Sequence, residues 1–369
     1  MSIEGKLNMK NSGIKFLIIL LFIVAIIAGV LLALKMVPNQ QTSSENVEEE
    51  IPQKIEEPVK TVKSFSGGQR AIALMIDNHE GAWPQGGLND ADLVYEIIVE
   101  GGETRLMAVF KGKKLEKIGP VRSARHYFID YALENDAIYT HFGWSPQAES
   151  DIKKYSVNNI NGITESSGSF WRTTDKYVPH NVATSTEKIL EIAERKGYRT
   201  TSNKESVLNY VTDEVNLENG TQITGVTIPY SYIQDVYYEY DETNKVFIRY
   251  ARGEKQVDWN TQEPVTTKNI IITFAQNYSL NDAESKGRQG LKNIGTLDGY
   301  YITNGKYIPI KCEKTDRTSQ TIYKDLEGNE IEVNDGNTFI QICPLNADVE
   351  FEEVVEEIPT NTIEENNVQ

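Results

Sequence analysis

Cysteine and histidine are scarce in this chain: two cysteines, Cys312 and Cys343, and four histidines in 369 residues. Two thiols cannot complete a cysteine-type zinc site, and no two histidines stand at the i, i+4 spacing of a helix-borne metal site. No metal and no cofactor is called for. The phosphate-cradling run G-x-x-x-x-G-K-[ST], the zinc motif H-E-x-x-H and the nucleophile elbow G-x-S-x-G are also missing, which removes the enzymes most readable from a motif. Nor is there an excess of basic residues. Lysine and arginine total 37 against 54 acidic residues, for a net charge of −17. That balance argues against sequence-independent binding to nucleic acid, which needs a basic field.

The negative charge is unevenly spread. Residues 348–369 carry eight acidic and no basic residues, and residues 40–67 carry six acidic residues against three lysines; the body between is only mildly acidic. What the N-terminus does have is one long apolar run. From Phe16 to Leu34 there are 19 uncharged residues, bracketed by Lys15 and Lys35. As a helix this run spans about 28 Å, close to the hydrocarbon thickness of a bilayer. A signal peptide has a shorter apolar region and a small-residue cleavage site, so the run is read as an uncleaved transmembrane anchor. Lys6, Lys10 and Lys15 precede it, which predicts an N-terminus inside and all later residues outside.

The predicted plan follows: a cytoplasmic tail over 1–15, the anchor over 16–34, an acidic flexible linker over 35–68, an α/β (or α+β) domain over 69–205, a β-rich domain over 220–346 and an acidic disordered tail over 347–369. In the first domain, Ala71–Ile76 reads as a buried strand, and strands are also expected at Asp92–Glu100 and Arg105–Phe110. Helices are predicted at Ser123–Asn135, Pro146–Tyr155 and Ser185–Gly197. The second domain is a series of short β-branched and aromatic runs. Asn304-Gly305 between two of them signals a hairpin, because a type I′ turn needs positive φ at both central positions. Cys312 and Cys343 both fall here. They form a disulfide if their Cα atoms come within about 7 Å, and otherwise serve as buried apolar thiols.

The polar clusters concentrate in the first domain. Asp77-Asn78-His79 ends a buried strand, where α/β folds place ligand groups, although a polar turn capping its own backbone has the same composition. Arg122 and Arg125 flank Ser123, the expected N-cap of the following helix. Two cations at the positive end of a helix call for a negative partner, either an internal carboxylate such as Glu96, Glu100 or Glu103, or an anionic ligand. Arg105, His141, His180 and Asn181 add hydrogen-bonding groups.

Several of these segments occur together in a recognisable order: Ala73–Asp77 with Asn78-His79, Pro84–Leu88, Ala91–Glu96, Glu100–Arg105, Ile118–Arg125, Ser145–Ala148, Phe170–Arg172 and Pro179–Asn181. The set resembles the YerB-like lipoprotein family of Gram-positive bacteria, and the C-terminal half, from Ile228-Pro229-Tyr230-Ser231 to Gly336–Phe339, resembles that family's second domain. The resemblance implies a location and a two-domain plan, and it brings no reaction with it. Three departures stand out: an apolar span in place of a lipid-bearing cysteine, His126 where proline commonly follows Arg125, and a divergent Tyr307–Lys314 stretch.

The leading expectation is a membrane-anchored extracytoplasmic binding or accessory protein of the cell envelope. Its polar cleft would take an anionic glycan or phosphate, with candidate ligand residues Asp77, Asn78, His79, Glu100, Glu103, Arg105, Arg122, Ser123, Arg125, His141, His180 and Asn181. Cell-wall polymer is the expected partner. The alternatives are a scaffold for wall-synthesis proteins and a wall-glycan hydrolase using Glu100 or Asp77.

Overall fold

The structure, a computed structural model, describes residues 60–354 except 167, 282, 283 and 285. The predicted tail over 1–15, the anchor over 16–34 and most of the linker lie outside the described residues. Among the described residues no helix is long and apolar enough to cross a membrane.

In the N-terminal half the main strands are β1 (Ile72–Asp77), β2 (Leu93–Ile98), β3 (Thr104–Phe110), β4 (Ile138–His141) and β5 (Asn159–Asn161). The C-terminal half contributes β6 (Thr221–Ser231), β7 (Gln234–Asp241), β8 (Val246–Ala251), β9 (Asn269–Ser279), β10 (Gln289–Lys292) and β11 (Gly295–Thr303). It continues with β12 (Lys306–Lys314), β13 (Ile322–Lys324), β14 (Thr338–Pro344) and β15 (Glu350–Glu353). The helices are α1 (Phe128–Glu134), α2 (Pro146–Lys154) and α3 (Thr186–Arg195).

One mixed sheet runs through both halves in the order β5-β4-β1-β3-β2-β14-β9-β11-β12-β13. The join is the parallel pairing of β2 with β14, from Leu93↔Thr338 to Ile97↔Ile342. β2 and β14 are buried along nearly their whole length, so each needs a hydrogen-bonded neighbour on both edges. The halves predicted as successive domains therefore share a single sheet. A second sheet, β15-β6-β7-β8, is antiparallel throughout.

Side-chain alternation sorts the core into two layers. Ala73 and Met75 of β1, Tyr95 and Ile97 of β2, and Ile340 and Ile342 of β14 pack with Phe128 and Ile129 of α1 and Ile152 of α2. Ile72, Leu74, Ile76, Val94, Phe339 and Cys343 face the other way, toward Ile189 and Ile192 of α3 and Val236, Tyr238 and Phe247 of the second sheet. Within this second layer lies an ion pair with no exposure on either side chain: Arg249 of β8 donates to Glu96 of β2 at 2.6 Å.

Sequence signals with a local physical cause reappear. Ser145 and Ser185 cap α2 and α3 through their hydroxyls. Asn304 and Gly305 turn between β11 and β12 with φ of 49° and 69°. Three expectations are corrected, and one open alternative is decided. The helix predicted from Ser123 begins only at Phe128 and has no side-chain cap; residues 121–124 are held as extended chain by bridges Ile76↔Val121 and Ala124↔Trp144. The linker ends before residue 63, since the backbone N–H groups of Lys63 and Ser64 donate to Asp335 and that of Phe65 donates to Asp92, with the Phe65 ring buried. These contacts sit at the N-terminal ends of β2 and β14. The acidic tail is not wholly disordered either: residues 350–353 pair with β6, and Phe351 stacks on Tyr307 at 3.8 Å between centroids. Finally, Cys312 and Cys343 are free and buried. They lie on β12 and β14 with β11 and β9 between, about 14 Å across the sheet, too far for a bridge.

Removing one partner of a buried ion pair leaves the other charge uncompensated, at a cost of about 3–5 kcal/mol. Arg249→Met is expected to lower the unfolding free energy by that amount in a urea titration. A loss below about 1 kcal/mol would show that the pair contributes little to holding the sheets together.

Candidate functional site

β1, β2, β4 and β5 share one direction, and their C-terminal ends define one rim of the sheet. Asp77 is the last residue of β1 and is 3 % exposed. Its Oδ2 accepts a hydrogen bond from His180 Nδ1 at 2.8 Å and meets Arg122 Nε at 3.3 Å. Its Oδ1 caps the backbone N–H of His79, and the His79 ring stacks on His180 with centroids 4.3 Å apart and planes 14° apart. Arg105 of β3 is the register partner of Asp77, and its Nη1 donates to the carbonyl of Ser123. Arg125 binds Glu100 through two nitrogens, at 2.6 and 2.7 Å. The ends of β1 and β2, the start of β3, the extended 119–125 segment and the turn before Val182 thus gather Asp77, His79, Glu100, Arg105, Arg122, Arg125 and His180.

The segment that carries Arg122 and Arg125 starts at Gly119, with φ of 129° ahead of a cis bond to Pro120. A Cβ there would lie 2.8 Å from Val121 N and 2.9 Å from Val182 O, so only glycine fits.

The electrostatics are unbalanced. Three guanidinium groups share two carboxylates, Asp77 and Glu100, which leaves one positive charge in excess. Burial, reinforced by the neighbouring Arg125 charge, lowers the Arg105 guanidinium to about 10. Its buried Nε has no hydrogen-bond partner among the described residues. Burial alone would raise the Glu100 carboxyl, but the hydrogen bonds and charge of Arg125 prevail and hold it below the usual carboxylate range.

The other predicted residues have structural partners. Asn78 is fully buried and donates to Glu96 and Thr104. Glu103 pairs with Arg252. Ser123 donates to the Phe142 carbonyl and caps nothing. Asn181 organises its own loop, accepting from Arg172 and donating to the Thr173 carbonyl. His141 ends β4 but lies beneath the surface, between the Gly143 carbonyl and the Asn159 amide. Burial lowers it to about 4. It is a core histidine, outside the part-buried cluster around Asp77.

Sequence reasoning gave Glu96 only as one of several possible arginine partners and singled out neither Arg249 nor the cluster of Asp130, Asp151, Asn293 and Arg317. Arg317 bridges Asp130 and Asp151 at 2.7 Å each, and Asp130, Asn293 and Arg317 line a cavity of about 350 Å³ with His126, Tyr278 and Leu291. No periodicity joins residues so far apart in the chain.

A mixed sheet backed on one face by a smaller antiparallel sheet, with an acid–histidine–arginine cluster at its strand ends, is the arrangement to set beside known proteins. Residues 59–199 match the "Protein of unknown function (DUF3048) N-terminal domain", and residues 226–340 match its C-terminal domain. The chain is 31 % identical over 291 residues to the "Putative lipoprotein YerB" of Bacillus subtilis (strain 168), covering 73 % of this chain and 85 % of that protein. The crystal structure of YerB from Bacillus subtilis aligns with a TM-score of 0.70 at 29 % identity, over 79 % of this chain and 100 % of that one. The chain belongs to the YerB-like DUF3048 family.

His141 makes the fold sensitive to acid. A histidine lowered to about 4 in the folded state, against 6.5 unfolded, contributes stability that is present above pH 6.5 and lost as pH falls toward 4. The loss for this group is on the order of 3 kcal/mol. Chemical denaturation at pH 7 and pH 4.5 is expected to show a fall that is markedly smaller in His141→Asn; equal slopes in both proteins would contradict the assignment.

Proposed function

We propose that this chain is a membrane-associated protein of the cell envelope that binds a phosphate-bearing or otherwise anionic wall polymer at the Asp77–Arg122–Arg105 cluster. The single observation that carries the reading is the excess cation: three arginines with two carboxylates, and a buried Arg105 Nε lacking an acceptor. A buried donor without a partner costs about 1–3 kcal/mol, and an anion at the cluster supplies the missing charge to the group. The lipoprotein description of the Bacillus subtilis relative and the 19-residue apolar run both support an envelope location.

Glycan hydrolysis by paired carboxylates is less well supported. That chemistry needs one carboxyl group that retains its proton. Glu100 is held ionised by Arg125, and Asp77 is occupied by Arg122 and His180.

The test is calorimetry on the full chain in detergent with phosphate-containing wall fragments. Arg122→Ala is expected to weaken binding about tenfold or more, the worth of one charge-assisted hydrogen bond. Unchanged affinity would remove the cluster from consideration as the binding site.

A further inference from the structure

The binding reading uses the arginines and leaves the two stacked imidazoles without a task. Their hydrogen bonds fix their tautomers. A carboxylate can only accept, so His180 carries its proton on Nδ1, toward Asp77 Oδ2 at 2.8 Å. In the neutral ring Nε2 is then a bare acceptor, and it has no hydrogen-bond partner among the described residues. His79 is set the opposite way. Its Nδ1 accepts from the Gly81 backbone N–H at 3.0 Å, which leaves Nε2 as the donor. The cluster therefore holds a base, a neutral donor and guanidinium groups together. The groups are close: His180 Nδ1 and Arg122 Nε contact the same oxygen of Asp77, which places them within about 6 Å of one another.

From this geometry we infer that His180 is a general base, oriented by Asp77, and that the site hydrolyses a phosphodiester held by Arg122 and its neighbours. The inference rests on the anion-binding reading above. The bond broken must lie at the anion itself, because the base stands beside the group that holds the charge; among polymer linkages a phosphodiester meets that condition and a glycosidic bond does not. His180 Nε2 takes a proton from water as the water oxygen bonds to phosphorus. The bond from phosphorus to the leaving oxygen breaks with its electron pair, and the leaving oxygen takes the proton back from the imidazolium. Diester and water become monoester and alcohol, with no change of oxidation state. The arginines offset the charge on the non-bridging oxygens as it builds, and the His79 Nε2–H donates a hydrogen bond to them.

The experiment uses the full chain in detergent, in the presence of a chelator, with bis(p-nitrophenyl) phosphate as the probe and calorimetry with inorganic phosphate as a separate binding arm. Wild-type protein is expected to turn the diester over. His180→Gln is expected to lower kcat by about 100-fold or more, with phosphate affinity changed only a few-fold. Asp77→Asn, which keeps the side chain's shape but disfavours the oriented tautomer, is expected to lower kcat as well, and it guards against a folding defect at position 180. Phosphate binding without turnover by the wild type would overturn the catalytic inference and leave the binding reading intact. So would turnover that survives His180→Gln, or turnover that the chelator abolishes. Failure to bind phosphate at all would remove both.

Discussion

The Glu96–Arg249 ion pair is the contact on which the rest of the architecture depends. Two charges removed from water are costly unless much of their remaining hydrogen-bonding capacity is met nearby. Here a chain of partners meets much of it, although Arg249 Nη1 has no hydrogen-bond partner among the described residues. Asn78 and Thr104 donate to the second oxygen of Glu96, Arg249 also donates to the Tyr238 hydroxyl, and Gln341 donates to that same hydroxyl. Tyr230 closes the circuit by donating to the Gln341 side chain, and Gln85 reaches from Asn78 to the Asp77 carbonyl. Strands β2, β3, β6, β7, β8 and β14 thus belong to one polar unit, which reaches the cluster through Asn78 and the Asp77 carbonyl. The two family segments cannot act as independent beads, because each holds part of the same buried network.

That arrangement also explains why the cluster is held so firmly. Asp77 has no freedom to turn away: its backbone is in β1, its neighbour Asn78 is anchored to Glu96, and its two oxygens serve His79, His180 and Arg122. Histidines of similar appearance in the sequence separate cleanly by environment. His180 keeps a partly exposed ring and one unshared nitrogen, while both nitrogens of His141 are taken up by core partners.

Signals with a local cause were legible in the sequence. Buried strands announced themselves as apolar runs, Ser145 and Ser185 as caps, and Asn304-Gly305 as a turn, because in each case the physics acts within a few residues. The rest depended on distance through space. Ser123 has the composition of a cap, yet bridges to Ile76 and Trp144 hold its segment extended. Phe65 and Phe351 stand in polar stretches that read as disordered, and each finds an aromatic or carboxylate partner far away in the chain. Glu96 was expected only as one of three carboxylates that could serve Arg122 or Arg125, and the placement of β8 against β2 gives it Arg249 as its counterion. For the candidate site, residue types were readable. Their convergence was not.

The contacts at residues 63–65 have a mechanical consequence. The chain is fastened to Asp92 and Asp335 at the starts of β2 and β14, whereas the cluster lies at the far rim, about 17 Å away along a six-residue strand. A pull applied at Lys60 is therefore borne by backbone hydrogen bonds to two carboxylates and by the buried Phe65 ring. The arginines and imidazoles sit off that line of force.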